Sequence, residues 1–245
     1  MVKTVDIIAA LEEFAPLSTA QPWDNVGWQV NFANPDVKKI MLCLTVTESV
    51  ISQAIDQNCD FILSHHPVFF DPIKKIADKS ILEAIKNGIQ MYSVHTNFDS
   101  VIGGTSDMLG WKMGFDQLEV LNEFVRVKRL DNEISVEELT QRLKHNLNVN
   151  HFKMVNLRNL HSVKSIAFCA GSGGSFIQDI NIANIDLFVT GDVKYHDALD
   201  SDGLVIFDIG HYDSEKFVTD IFKNILQKLE VELIVAHEED IWKIV

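Results

Sequence analysis

The sequence predicts an α/β protein with a largely parallel sheet carrying helices on both faces. Two observations carry this. Short apolar runs alternate with segments of helical period, in the β-α-β-α-β order that builds parallel sheets. The apolar runs are also continuous rather than alternating, as expected of strands covered on both sides. A third feature is functional: histidines and carboxylates follow several of these runs, at the carboxyl ends of strands where open α/β sheets bind their ligands.

Thr4 suits an N-cap for a helix to about Phe14, with Val5, Ile8, Ala9 and Leu11 on one stripe. Pro16 and Pro22 bound a loop. Lys39-Ile-Met-Leu-Cys-Leu44 is a buried strand, Glu48 to Gln57 a helix, and Phe61-Ile-Leu63 the next strand. Ser80 caps a helix through Lys86 that Asn87-Gly88 ends, and Ile89 to Val94 is a further strand. After about Leu121 the pattern changes. Val125 to Leu130, Phe152 to Leu157 and Val163 to Phe168 read as strands, and Ser135-Val-Glu-Glu138 is a capping box opening a helix to about Leu147. From Asp186 the earlier rhythm resumes, with strands Asp186 to Val189, Leu204 to Phe207 and Glu232 to Val235, and helices Tyr195 to Leu199 and Ser214 to Leu229. The expected division is therefore 1–122 plus 186–245 as a metal-binding domain and 123–185 as a smaller inserted α/β domain.

A chain of 245 residues with 47% hydrophobic and 23% charged residues has the makeup of a globular protein with a substantial core. Its formal net charge of −14 argues against non-specific nucleic-acid binding, which needs a basic face. The basic run Arg126-Val-Lys-Arg129 is short and fits the decoration of a strand. Cys43, Cys59 and Cys169 form no CxxC and no even-numbered framework, so buried free thiols in a reducing compartment are expected. The N-terminus lacks the features of a signal peptide, and no apolar stretch approaches the ~20 residues of a membrane span. A cytoplasmic location and no membrane partner follow as expectations.

The chemistry-bearing residues fall after three strands. His65 and His66 follow Phe61-Ile-Leu63; His95 and Asp99 follow the strand ending at Val94; His211 and Glu215 follow the strand ending at Phe207. On a helix, the i, i+4 spacing of His211 and Glu215 puts both on one face. A histidine at a strand end also serves simply to donate to a carbonyl, and Glu215 suits a first helical turn. Agreement among three segments favours metal ligation over those blander uses. Mixed imidazole and carboxylate donors without thiolate suit Zn, Fe, Mn, Co or Ni rather than Ca or Mg. The number of donors exceeds one tetrahedral site and suits two ions about 3.5–4 Å apart, with Asp99 or Glu215 as a bridge.

Taken together, Pro22-Trp-Asp-Asn-Val-Gly27, Ser64-His-His-Pro67, His95-Thr-Asn-Phe-Asp99 with Gly103-Gly104, Gly171-Ser-Gly-Gly174, Thr190-Gly-Asp-Val-Lys-Tyr-His196 and Gly210-His-Tyr-Asp-Ser-Glu215 resemble the NIF-three-like family, also called GTP cyclohydrolase 1 type 2 homologues. The resemblance runs over nearly the whole chain. It implies two intertwined α/β domains in three layers with mostly parallel or mixed sheets. It also implies two divalent metal ions per chain on His65, His66, Asp99, His211 and Glu215, and a ring-shaped homohexamer. Thr45 and Ser106 depart from the family pattern, where Asp and Asn are frequent. His95 and His196 are the candidates for proton transfer, each with a helix-cap or packing role as the alternative. Gly171-Ser-Gly-Gly-Ser175 fits a tight turn better than a phosphate cradle, lacking the third glycine of GxGxxG and the lysine of a P-loop. The expected function is a metal-dependent hydrolase of cyclohydrolase or phosphoesterase type acting on a small molecule through metal-activated water. The alternative is a non-catalytic metal chaperone or a scaffold for cofactor assembly or regulation.

Overall fold

A computed structural model describes residues 1–71 and 73–243; Pro72, Ile244 and Val245, which the expected domain ranges include, lie outside them. The chain forms two compact units. The first comprises Met1–Val101 and Val218–Glu239, and the second Ile102–Phe217 with the chain's last residues from Asp240.

In the first unit a five-stranded sheet runs in the order Glu232–Val235, Lys39–Cys43, Phe61–Ser64, Gln90–Ser93, Gly27–Val30. The first four are mutually parallel and Gly27–Val30 closes the edge antiparallel. The apolar runs are buried on both faces. Met41, Cys43, Ile62 and Met91 pack against Val50, Ala54, Ile81 and Ala84 of helices Glu48–Asp56 and Lys79–Lys86. Strand alternation turns Ile40 and Leu42 to the opposite face, where helix Val218–Leu226 packs on Lys39–Cys43 and helix Thr4–Phe14 on Val218–Leu226. Each fully buried aliphatic side chain contributes about 1.5–3 kcal/mol, so this two-sided burial outweighs the modest helix propensities. Thr4 opens its helix rather than capping it, and its hydroxyl donates to Asn34 O. The buried stripe is Thr4, Ile7 and Leu11, leaving Val5 71% exposed. Helix Lys79–Lys86 is capped by Asp78, whose carboxylate accepts from the amides of Ser80 and Ile81.

In the second unit a six-stranded mixed sheet runs Glu119–Val120, Arg126–Ser135, Ser162–Ser172, Leu187–Gly191, Val205–Asp208, Lys153–Val155. One face (Ile166, Phe168, Leu187, Val189, Val205, Phe207) meets Leu109 of helix Thr105–Lys112 and Leu139 and Leu143 of helix Val136–Asn146. The other (Val127, Ala167, Cys169, Phe188, Ile206) meets Ile177 and Ile180. Ser135 caps Val136–Asn146 as the capping box requires, accepting from Glu138 N at 3.0 Å. Arg126 is buried, not a surface decoration. Its Nε donates to Asp107 Oδ2 at 2.8 Å and its Nη1 reaches the carbonyls of Asn122 and Glu123. Breaking such a buried pair costs about 3–5 kcal/mol.

The expected boundaries at 122/123 and 185/186 move to 101/102 and 217/218. Strands Leu187–Gly191 and Val205–Asp208 do not rejoin the first sheet. Ile166 aligns with Leu187 and Phe168 with Val189, while Val189 in turn aligns with Phe207, all parallel. A buried parallel strand looks the same in either sheet, and only its pairing decides membership. The second unit is accordingly no small insertion. The expected helix Ser214 to Leu229 is two helices, His211–Glu215 and Val218–Leu226, and the unit boundary falls between them.

Candidate metal centre

In the first unit the pair His65–His66 is fixed where the strand Phe61–Ser64 ends. The amide of His65 donates to Cys43 O at 3.2 Å and that of His66 to Leu44 O at 2.9 Å, so both residues continue the pairing with the neighbouring strand. Ser64 Oγ donates to His66 O at 2.9 Å and closes the turn. The His65 ring is fully buried and its Nδ1 donates to Val94 O at 2.8 Å. Nδ1 of His66 meets Thr45 Oγ1 at 2.7 Å. Nδ1 of His95 meets both oxygens of Asp24 at 3.0 Å. The Asp24 side chain has no solvent exposure and also accepts from Thr96 N at 3.0 Å and Thr96 Oγ1 at 2.5 Å. Burial raises the Asp24 carboxyl, but the bonds from His95 and Thr96 more than offset it and leave its pKa lowered. Asp24 is therefore a carboxylate at neutral pH, and it holds His95 with Nδ1 as the proton-bearing nitrogen.

Asp99 lies on the short helix Thr96–Ser100, with Oδ1 3.4 Å from His65 Nε2. That separation is long for a hydrogen bond. It matches two donors of one tetrahedral ion, which at metal–ligand distances of about 2.0–2.2 Å sit about 3.4 Å apart. The ligand-capable atoms of His65, His66 and His95 lie within 4.8 Å of one another.

In the second unit His211 and Glu215 occupy the helix His211–Glu215. Their i, i+4 spacing brings His211 Nε2 to 2.9 Å from Glu215 Oε2, while Nδ1 lies 2.8 Å from Asp192 Oδ2. Clamped between two carboxylates, His211 is pushed up to about 9, chiefly by its hydrogen bond to Glu215 and against the opposing effect of burial. Two glycines make room for this pair. Gly171 has φ +69°, and a Cβ there would run into Glu215 Oε1 and sit 3.6 Å from His211 Cε1. A Cβ on Gly191 would lie 2.7–2.8 Å from the backbone of Gly210 and His211.

His196 sits exposed on the helix Tyr195–Leu199, edge-on to Tyr195, and belongs to no cluster of three metal-capable residues among the described residues. The Gly171–Ser175 segment is a packed turn. Gly173 N donates to Thr190 Oγ1 at 3.0 Å, and the Asp197 carboxylate stands 2.9 Å from where a Gly174 Cβ would be, a poor setting for phosphate. All three cysteines are buried free thiols; burial raises Cys43 well above its usual value and Cys59 to about 11.

The orienting residues were not singled out from the sequence. Asp24 stands inside the Pro22–Gly27 motif, but its role shows only when the fold brings it to His95 across 71 positions. Thr45, which departs from the expected pattern, holds the His66 ring through its hydroxyl. Ser106 has a packing role, donating to Phe124 O at 2.8 Å and accepting from Ala170 N at 3.1 Å. Glu238 accepts from Leu44 N and Thr45 N beside the His66 turn; its carboxyl is raised by burial, only partly countered by those amides.

Four imidazoles with Nδ1 bonded to oxygen, in the company of carboxylates, is the arrangement that metal-binding histidines require. With Nδ1 donating to Val94 O and to Asp24, Nε2 of His65 and of His95 carries the lone pair, whereas His211, bonded through both nitrogens, has to give up its Nε2 proton to act as a ligand. The residues thus fit first-row divalent ions.

The chain is similar to several known proteins. A "GTP cyclohydrolase 1 type 2 homolog" of Clostridium perfringens is 35% identical over 254 residues, covering 96% of this chain and 97% of its own. "NGG1-interacting factor 3" of Saccharomyces cerevisiae is 26% identical, covering 94% and 92%. The crystal structure of Staphylococcus aureus hypothetical protein SA1388 superposes with a TM-score of 0.90 at 24% identity, covering 100% and 99%, and so shows the same fold. With the family profile matching residues 2–240, the chain belongs to the Duf34/NIF3 (NGG1p interacting factor 3) family.

Proposed function

We propose that this protein holds two divalent first-row metal ions on His65, His66, Asp99, His211 and Glu215, and that it is a metal-dependent hydrolase of small molecules. The observation that carries the reading is the orientation of every imidazole through Nδ1, by Val94 O, Thr45, Asp24 and Asp192. Bound there, such ions supply Lewis acidity and lower the pKa of water. The protein's own part is to position and to move protons. His95, fixed by the Asp24 carboxylate, has the geometry of a general base: its Nε2 accepts a proton while the carboxylate stabilises the imidazolium. Trp23 and Phe70 stand edge-on to His95 at 6.2 and 5.6 Å and give the substrate an apolar wall. Phosphoesters, cyclic amidines and amides suit this chemistry, and the name borne by relatives makes guanine nucleotides the first substrates to try.

A second reading, a metal chaperone or scaffold, is favoured by the yeast relative's name, which denotes an interaction rather than a reaction. Metal content per chain and turnover of a substrate panel, for wild type and His66→Ala, separate the two. The hydrolase reading expects about two ions and turnover lost with His66. Metal passed to a partner without turnover points to the scaffold, and a chain that takes up no metal ends both readings. The ring-shaped hexamer is part of the same proposal, and light scattering gives its mass directly.

A further inference from the structure

We propose that Glu238 is a positioning residue of the metal centre, holding the His66 ring in place through Leu44 and Thr45. This rests on the reading of His66 as a metal ligand.

His66 is gripped at two points by one dipeptide. Its amide donates to Leu44 O at 2.9 Å, and its ring Nδ1 lies 2.7 Å from Thr45 Oγ1. The same dipeptide is held in turn by Glu238. Leu44 N donates to Glu238 Oε2 at 2.7 Å and Thr45 N to Glu238 Oε1 at 2.9 Å. The ladder between strands Glu232–Val235 and Lys39–Cys43 reaches Leu42, with Val235 in register and Ala236 N donating to Leu42 O. Two residues further on, the amides of Leu44 and Thr45 take one carboxylate in place of a strand. Hydrogen bonds to an ionised acceptor are about twice as strong as those between neutral groups.

Fastening the segment after Val235 does not require Glu238. His237 is already anchored on helix Glu48–Asp56, its amide donating to Gln53 Oε1 at 2.8 Å and its carbonyl accepting from Gln53 Nε2 at 2.9 Å. The side chains of His237 and Glu239 are 83% and 80% exposed, while Glu238 between them is half-buried and turned in. Water would satisfy two strand-end amides equally well. A fixed carboxylate adds rigidity, and it falls on the residue that holds the ring. Metal ligands have to be kept within about 0.5 Å of their working positions by residues that are themselves locked.

The test is a double-mutant cycle on the full chain. Zinc(II) affinity is measured by competition with a chromophoric chelator for wild type, Glu238→Ala, Thr45→Val and the double variant. Thr45→Val keeps the amide that Glu238 binds and removes only the hydroxyl. Glu238→Ala should weaken zinc binding a few-fold, below the roughly 10–100-fold range for losing a ligand's direct partner, because Glu238 acts one contact further out. In the Thr45→Val background it should cost little more, since losses along one chain of contacts do not add. The ring 15N shifts of His66 in metal-free protein should move in Glu238→Ala as they do in Thr45→Val. Gln53→Ala, which frees the same segment from the helix, should leave affinity and shifts unchanged. An unchanged affinity in Glu238→Ala, a fully additive loss in the double variant or an equal loss in Gln53→Ala overturns the proposal and leaves the metal reading standing. A wild-type chain that binds no zinc ends the functional reading as well. Should Glu238→Ala fail to fold, Glu238→Gln, which keeps one acceptor oxygen, takes its place in the cycle: a smaller, non-additive loss is expected, and an additive or absent loss overturns the proposal.

Discussion

The histidine clusters of the two units use the same donor types and differ in how those donors are held. In the first, His65 Nε2 and Asp99 Oδ1 stand 3.4 Å apart, at ligand spacing, and three imidazoles are steadied by a carbonyl, a hydroxyl and one carboxylate. In the second, a single imidazole is clamped between Asp192 and Glu215 and bonded to Glu215 at 2.9 Å. The donors of the first cluster stand at ligand spacing. The second is closed on a proton, which a cation has to displace. Near-neutral donors set at ligand spacing suit capture, and two carboxylates around one histidine supply the charge that balances a dication.

The largest effect that would break this contrast comes from His65. It is fully buried and holds the strand end, and His65→Ala should lower the affinity for the first ion by at least about 100-fold, beyond the range for losing an orienting partner. A competition titration that finds affinity unchanged would remove the first cluster from the metal site. Next is Gly171→Ala. A left-handed backbone that only glycine adopts easily, plus the collision with Glu215, should cost about 1–3 kcal/mol in denaturant unfolding. It should also weaken metal binding, whereas Gly88→Ala, also at positive φ but with nothing within 4 Å of an added Cβ, should cost stability alone.

The third test is pH. A His211 pKa raised from 6.5 to about 9 means that the folded chain binds this proton more tightly than the unfolded one. Chelator-treated protein should therefore keep this contribution below about pH 6.5 and lose it progressively as pH rises through about 9. Glu215→Gln should flatten that part of the profile, and a profile already flat in wild type would show that His211 is not held as an imidazolium. Smallest is Thr45→Val. A hydroxyl orients an imidazole less strongly than a carboxylate, so the loss in metal affinity should stay under about tenfold, below that of Asp24→Asn. Equal losses from the two would mean that the kind of oxygen behind Nδ1 does not matter.

Much of the site was legible in the sequence. An apolar run that stops at Ser64-His-His-Pro67 announces ligands at a strand end, and the spacing of His211 and Glu215 announces a shared helix face. Thr45 and Asp24 were not legible as orienting groups, since a threonine after a strand and an aspartate between two loop residues have many uses. The helix break between Glu215 and Val218 was missed because Ser214 to Leu229 keeps a helical pattern throughout.

The sequence by itself determined the alternation of buried strands and helices, the donor chemistry, and the local pairing of His211 with Glu215, because these depend on residues a few positions apart. Tertiary structure decided which sheet Leu187–Gly191 and Val205–Asp208 enter and which oxygen stands behind each imidazole. A buried parallel strand carries no mark of its neighbour. A histidine's orienting partner is chosen by long-range strand and loop packing, which local periodicity does not encode.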